Sequence, residues 1–199
     1  MNKIFSSLLL IVSVVLIQLP IAAEVSAASA EKSEKPERKT QLVGPAVGKK
    51  VGKAFELYSA DDIPGALVLL LDIEANKVYD RAYVDRFIAV MYATLGNEEA
   101  KAIEYLKAAV KPDVLNEADH GGSIKLLADL QMQTKAYEEA LVNYKAWMDF
   151  TGESDGDTWT KIANAYYALK QLDKMIVPAD NAIAAYGDKQ NKNPYILKL

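Results

Sequence analysis

Three stretches of this sequence hold residue types able to do chemistry. The first is GPAVGKKVGK, residues 44–53, whose glycines and lysines suggest a phosphate cradle. Such a loop needs Gly, four free residues and then Gly-Lys-Ser/Thr, because backbone amides hold the phosphates and the hydroxyl holds magnesium. Here Gly44 and Gly48 enclose three residues, Lys50 stands where the hydroxyl belongs, and the charged run EKSEKPERKT precedes the stretch instead of a buried strand. Nucleotide is therefore not expected. The second stretch is NEADHGG, with the single histidine, His120, beside Glu117 and Asp119. One histidine excludes paired-histidine zinc motifs and leaves little for general-base chemistry. A metal site here competes with a simpler reading, a solvated histidine in a glycine-rich turn. The third is GESDGD, residues 152–157, where Glu153, Asp155 and Asp157 alternate as in a calcium loop. The twelve-residue spacing and closing Glu of such loops are missing, so the cluster reads as turn and cap groups, with Asp157 or Thr158 as N-cap candidates. No serine lies in a nucleophile-elbow pattern. No catalytic residue, cofactor or metal is expected, and the chain is not read as an enzyme.

The elements that surround these stretches begin with an export signal. MNKIFSSLLLIVSVVLIQLPIAAEVSAASA has one lysine, an apolar core from Ile4 to Leu19, then small residues around Ala23, Ala27 and Ala30. That is the layout of a secretory signal peptide, assigned to 1–27 with cleavage as late as 30. The core is short against the roughly 20 residues of a bilayer span, although an uncleaved anchor stays open. No cysteine follows it, so lipid attachment there is excluded, and the whole chain has none, so disulfides and thiolate metal sites are excluded too. Residues 28–46 read as a charged flexible linker. Net charge is −4, yet residues 31–53 carry seven Lys/Arg against three Glu, so the remaining body is markedly acidic. An acidic body argues against nucleic acid as partner.

After Val47 apolar residues recur at three and four, as on helices, and strand alternation is absent. Breakers fall near Asp61-Asp62, Asp80, Gly96, Pro112, Gly121-Gly122, Gly152 and Gly187, a rhythm of helix pairs. Ala66, Ala102, Ala140 and Met175 align at spacings of 36, 38 and 35, and Ala54, Ala89, Ala128 and Ala163 at 35, 39 and 35. Two columns with one period indicate an internal repeat.

The pattern resembles the tetratricopeptide repeat (TPR), a 34-residue pair of antiparallel helices. Trp159, Ile162-Ala163, Tyr166 and Ala182 fall where that family has its Trp, Leu-Gly, Tyr and final Ala. The resemblance covers 47–199 as four repeats and, at NPYILKL, the start of a fifth pair. It implies an all-α fold, a right-handed superhelical solenoid of antiparallel helix pairs. Departures are Met175 at the central small position, Gln131 in place of an aromatic, Pro178 inside the last helix, expected to kink or shorten it, and the mostly missing closing proline.

Tyr92, Tyr144, Trp147, Trp159 and Tyr166 occupy packing positions of the repeat and are expected in the core. The family binds partners on the inner face of its first helices, which here implies Phe55 and Tyr58, then Tyr83, Arg86 and Val90, then Lys125, Asp129 and Met132, then Thr160, Asn164 and Tyr167. Lys125 and Asn164 match positions that some relatives use to clamp a peptide carboxylate, though the rest of that clamp is absent. Protein or peptide segments are the expected partners, and contact with membrane is expected only through an uncleaved signal segment. KTQLVGPAVGKKVGKAFELY, AYVDRFIAVMYA and NPYILKL are further similar to periplasmic TPR proteins associated with TonB systems. That similarity implies a periplasmic scaffold serving TonB, ExbB or ExbD in nutrient or iron uptake. An adaptor in cell-envelope or outer-membrane assembly is the alternative.

Overall fold

Gly44 and Pro45 open the first helix, proline being suited to a first turn whose N–H has no partner in any case. The computed structural model describes Arg38 and residues 40–187, all within one compact unit that begins at Glu37. The expected signal segment, residues 1–27, and NPYILKL lie outside the described residues. Among those described are eight helices and no strand: α1 Pro45–Ser59, α2 Ile63–Leu71, α3 Val78–Leu95, α4 Glu99–Val110, α5 Glu117–Gln133, α6 Tyr137–Thr151, α7 Gly156–Ala168 and α8 Leu172–Tyr186. Each odd-numbered helix packs chiefly on the even-numbered one that follows it, giving four antiparallel pairs.

The alanine columns account for that pairing. Ala54, Ala89, Ala128 and Ala163 are buried on the first helices, as are Ala66, Ala102 and Ala140 on the second. Side chains this small let the two axes approach, and larger residues close the gaps between pairs. Tyr144 and Trp147 are buried as expected, while Tyr92, Trp159 and Tyr166 pack half-buried against the core.

One turn design sets the period. In the first, third and fourth pairs the N–H of Asp62, Ala136 and Gln171 donates to the carbonyl five residues back, on Leu57, Gln131 and Tyr166. Just before each donor stands a left-handed residue, Asp61, Lys135 or Lys170, with φ near 60°. The second pair uses Gly96, φ 73°, instead. These are the bonds that satisfy a helix's last carbonyls when the chain reverses.

Second helices also carry a stripe that receives the next pair. Ile103 and Val110 of α4 pack against the cluster holding Leu127 and Leu130 of α5. The equivalent Leu141 and Met148 of α6 pack against the cluster that includes Ile162, Trp159 and Tyr166 of α7. Their counterparts on α8, Ile176 and Ile183, are exposed.

Several expectations need correction. NEADHGG is not a turn: α5 begins at Glu117, so His120, Gly121 and Gly122 are helical and His120 is buried. A Cβ on Gly121 would stand 3.0 Å from Thr151 Cγ2, so glycine there serves close approach of α6 and not chain reversal. Asp80 is a buried residue of the first turn of α3. Helix α8 continues through Pro178 to Tyr186 without shortening, with Pro178, Ala179 and Ala182 buried. The N-cap of α7 is Asp155, whose carboxylate accepts from Thr158 N at 2.6 Å, and not Asp157 or Thr158. The linker assigned to 28–46 ends sooner: Pro45 and Ala46 belong to α1, and Arg38 and residues 41–44 are tied to the second repeat.

Candidate protein-binding surface

The inner-face residues fall into separate groups. Phe55 is 55% exposed and lies 6.3 Å from the half-buried Tyr58 ring at the first pair. On α3, Tyr83 stacks with Tyr79 at 6.1 Å and meets Phe87 in a tilted contact at 5.1 Å. Burial, then the negative charge of Asp119, pushes the Tyr83 phenol above its ordinary pKa. Arg86 crosses to Asp119 of α5 at 3.0 Å, and Val90 is half-buried against the first core cluster.

The third and fourth pairs are joined by charge. Lys125 Nζ donates to Asp155 at 2.6 Å and lies 4.0 Å from the Trp147 ring centroid. Burial raises the Asp155 carboxyl, but Lys125 and the Thr158 N–H outweigh it and leave the group below the usual carboxylate range. Asp129 Oδ1 accepts from Tyr144 Oη at 2.5 Å and from Lys161 Nζ at 2.6 Å. Burial first, then that hydrogen bond and the Asp129 charge, raise the Tyr144 phenol well above its ordinary value. Lys125 and Asp129 are thus held by partners within the array. Met132 packs half-buried beside Tyr144, and Thr160 donates to the Gly156 carbonyl at 2.8 Å. Asn164 Oδ1 is buried and has no partner, whereas Tyr167 is 48% exposed. Phe55 and Tyr167 therefore offer open aromatic surface near the two ends of the described array. Among the described residues no three acidic, histidine or cysteine side chains cluster as metal ligands, and no helix is long and apolar enough to cross a membrane.

A second arrangement had no precursor in the sequence reading. Residues 41–44 and Arg38 form a non-helical strap over the second repeat. The Asn116 side chain takes both main-chain groups of Gln41: Gln41 N donates to Oδ1 at 2.9 Å, and Nδ2 donates to Gln41 O at 3.4 Å. Tyr79 Oη donates to the same carbonyl at 2.9 Å, and Gly44 N donates to Asp80 at 3.0 Å. The Arg38 guanidinium pairs with Asp113 at 2.5 Å, donates to the Asp113 and Leu115 carbonyls at 3.2 Å, and lies 4.6 Å from the Phe150 ring centroid. Beneath it His120 Nε2 stands 3.1 Å from the same Asp113 oxygen, and its Nδ1 is buried without a partner. Burial lowers the His120 pKa, Asp113 partly restores it and Arg38 lowers it again.

No protein-family model matches the sequence, and no curated protein matches it. Solved structures do. A crystal structure of MamA is 16% identical with TM-score 0.55, covering 66% of this chain and 73% of that one. A second MamA structure is 14% identical with TM-score 0.58, over 74% and 78%. A Podosopora anserina protein described as a kinesin light chain with nearly identical TPR-like repeats is 15% identical with TM-score 0.53, over 73% and 77%. At these identities the likeness establishes the fold, an all-α solenoid of TPR-like helix pairs.

Proposed function

We propose that this chain is an exported, non-enzymatic scaffold that binds protein segments along its array, as an accessory to TonB-dependent energy transduction. One observation carries the scaffold reading. The inner-face positions combine open aromatic rings with charged groups already paired inside the array, a surface fitted to docking, and Lys125 and Lys161 are engaged by Asp155 and Asp129 instead of converging on a reactive centre. Export rests on the signal layout of residues 1–27. The TonB assignment rests on the similarity of KTQLVGPAVGKKVGKAFELY, AYVDRFIAVMYA and NPYILKL to periplasmic proteins of those systems. The mechanism is docking: a periplasmic segment of the motor lies against the array, which supplies position and no chemistry.

The test is photo-crosslinking in cells from Phe55, Lys125 and Tyr167, with adducts identified by mass spectrometry. Adducts to TonB, ExbB or ExbD support the full reading. Adducts confined to cell-wall or outer-membrane assembly proteins transfer the scaffold to envelope assembly, and no protein adduct from any position removes the scaffold reading.

A further inference from the structure

Asn116 is the N-cap of α5, yet its side chain caps nothing. An asparagine there normally satisfies one of the helix's free N–H groups; this one is spent on the two main-chain groups of Gln41 and, through Nδ2 at 3.1 Å, on Tyr79 Oη. Contacts of that kind read a peptide without reading its side chain at that position. Specificity comes from two flanking places. One is the guanidinium seat at Arg38, built from the Asp113 carboxylate, two carbonyls and the face of Phe150. The other is an apolar seat, where Val43 packs half-buried with the cluster of Tyr79, Ala82 and Leu115. Leu42 between them points away and is 87% exposed.

The occupant is lightly held. Val43 is the one apolar anchor between Arg38 and Gly44, and most of the strap's hydrogen bonds lie at the exposed surface. Segments with few buried apolar contacts and exposed hydrogen bonds open at the low end of a protein's local stabilities. The seat itself is different in kind: Tyr79, Leu115 and His120 are buried parts of the second and third repeats.

We propose that this trough is a peptide-binding site filled in cis, and that it takes a non-helical, arginine-bearing segment of a partner protein by exchange with the strap. The partner segment places arginine against Asp113 and Phe150, a main-chain amide against Asn116 three residues later, and a β-branched aliphatic residue two further on. The site rests on the scaffold reading for its biological use, but its chemistry is testable without it. Exchange makes the apparent affinity depend on the fraction of chains whose strap is open, so weakening the strap raises the affinity for a free peptide.

The probe is a fluorescent peptide with the sequence of residues 37–45, ERKTQLVGP, titrated by anisotropy into the purified full chain. The double variant Arg38→Ala with Val43→Ser loosens the strap and leaves the trough intact. It is expected to bind the peptide at least ten-fold more tightly than the unaltered chain. Adding Asn116→Ala, which removes no helix cap, should then weaken binding at least ten-fold, and a peptide with alanine in place of its arginine should bind correspondingly worse. Circular dichroism confirms that each variant is folded. No saturable binding to the loosened chain, or binding indifferent to Asn116 and to the arginine, overturns the proposal, whatever crosslinking in cells finds. A concentration-dependent dimer of the unaltered chain that Arg38→Ala abolishes also overturns it, because the occupant would then be the strap of a second copy.

Discussion

Removing one oxygen atom from Tyr144 should cost this array a measurable share of its stability. The Tyr144 ring is fully buried, and its hydroxyl donates at 2.5 Å to Asp129, which also accepts from Lys161. Tyr144→Phe keeps the ring packing and deletes only the donor. A hydrogen bond to a charged acceptor contributes about 1.5–3 kcal/mol. Asp129 keeps Lys161 and is partly open to water, with 27% of its side chain exposed, which places the expected loss at the lower end, about 2 kcal/mol. In a domain of this size that is a fall in melting temperature of about 4–8 °C. Urea unfolding followed at 222 nm should show the midpoint lowered with the slope unchanged. The same variant carries a pH signature. The phenol pKa is raised in the folded state, so the folded chain holds its proton where the unfolded chain releases it. The stabilisation is complete below the unfolded value of 10 and is lost as pH rises past it through the folded value. The gap between unaltered chain and Tyr144→Phe should therefore narrow above pH 10. A loss under about 0.5 kcal/mol at neutral pH, or a gap that does not narrow in alkali, would refute the assigned role of this hydrogen bond.

Lys135 and Lys170 occupy left-handed backbone, which costs a residue with a Cβ about 1–2 kcal/mol; Lys170→Gly should add about 0.5–1 kcal/mol of stability after the entropy cost of glycine, read as a higher urea midpoint. His120 is buried with a lowered pKa, so the unfolded state takes up its proton first: its contribution is full above 6.5 and is lost as pH falls below that value toward the folded one. His120→Gln should accordingly lose less stability between pH 7 and pH 5 than the unaltered chain, as read by thermal melts. Leu141→Lys and Ile176→Lys alter equivalent positions one repeat apart. The first should cost about 2 kcal/mol because α7 covers it, and the second should stay within about 0.5 kcal/mol because it is exposed, both by chemical denaturation.

The helix pairs were legible because their cause is periodic. A small residue every 35 to 39 positions is needed wherever two helices of a pair approach, and every such alanine in the two columns is buried. Punctuation was less legible because the same backbone state is reached by different residues. Gly96 supplies the left-handed turn of the second pair visibly, whereas Lys135 and Lys170 supply it with no sequence signal at all, the turn being imposed by the packing on both sides. The opposite error occurred at Gly121-Gly122 and Pro178, residues that break isolated helices. Tertiary packing overrides them: Gly121 lets Thr151 approach, and Pro178 is buried together with Ala179 and Ala182 in a helix that runs on to Tyr186.

The inner-face assignments show the limit of register. Periodicity places Lys125 and Asp129 on α5, but it says nothing of the residues opposite them. Asp155 and Lys161 come from the next repeat, 30 and 32 positions along, and convert prospective ligand contacts into bonds between repeats. The strap is the extreme case. Gln41 and Asn116 are 75 residues apart, and each has an ordinary local reading, one in the linker and the other in the glycine-rich NEADHGG stretch. Their meeting follows from a geometric consequence of the repeat. The chain enters α1 beside the start of α3, so the residues before Pro45 lie within reach of the α4–α5 connection. A linker made of basic and polar residues then meets Asp113, Asn116 and Asp80. Such a contact is specific in its partners yet small in its apolar area, which is the combination that favours exchange over permanent packing.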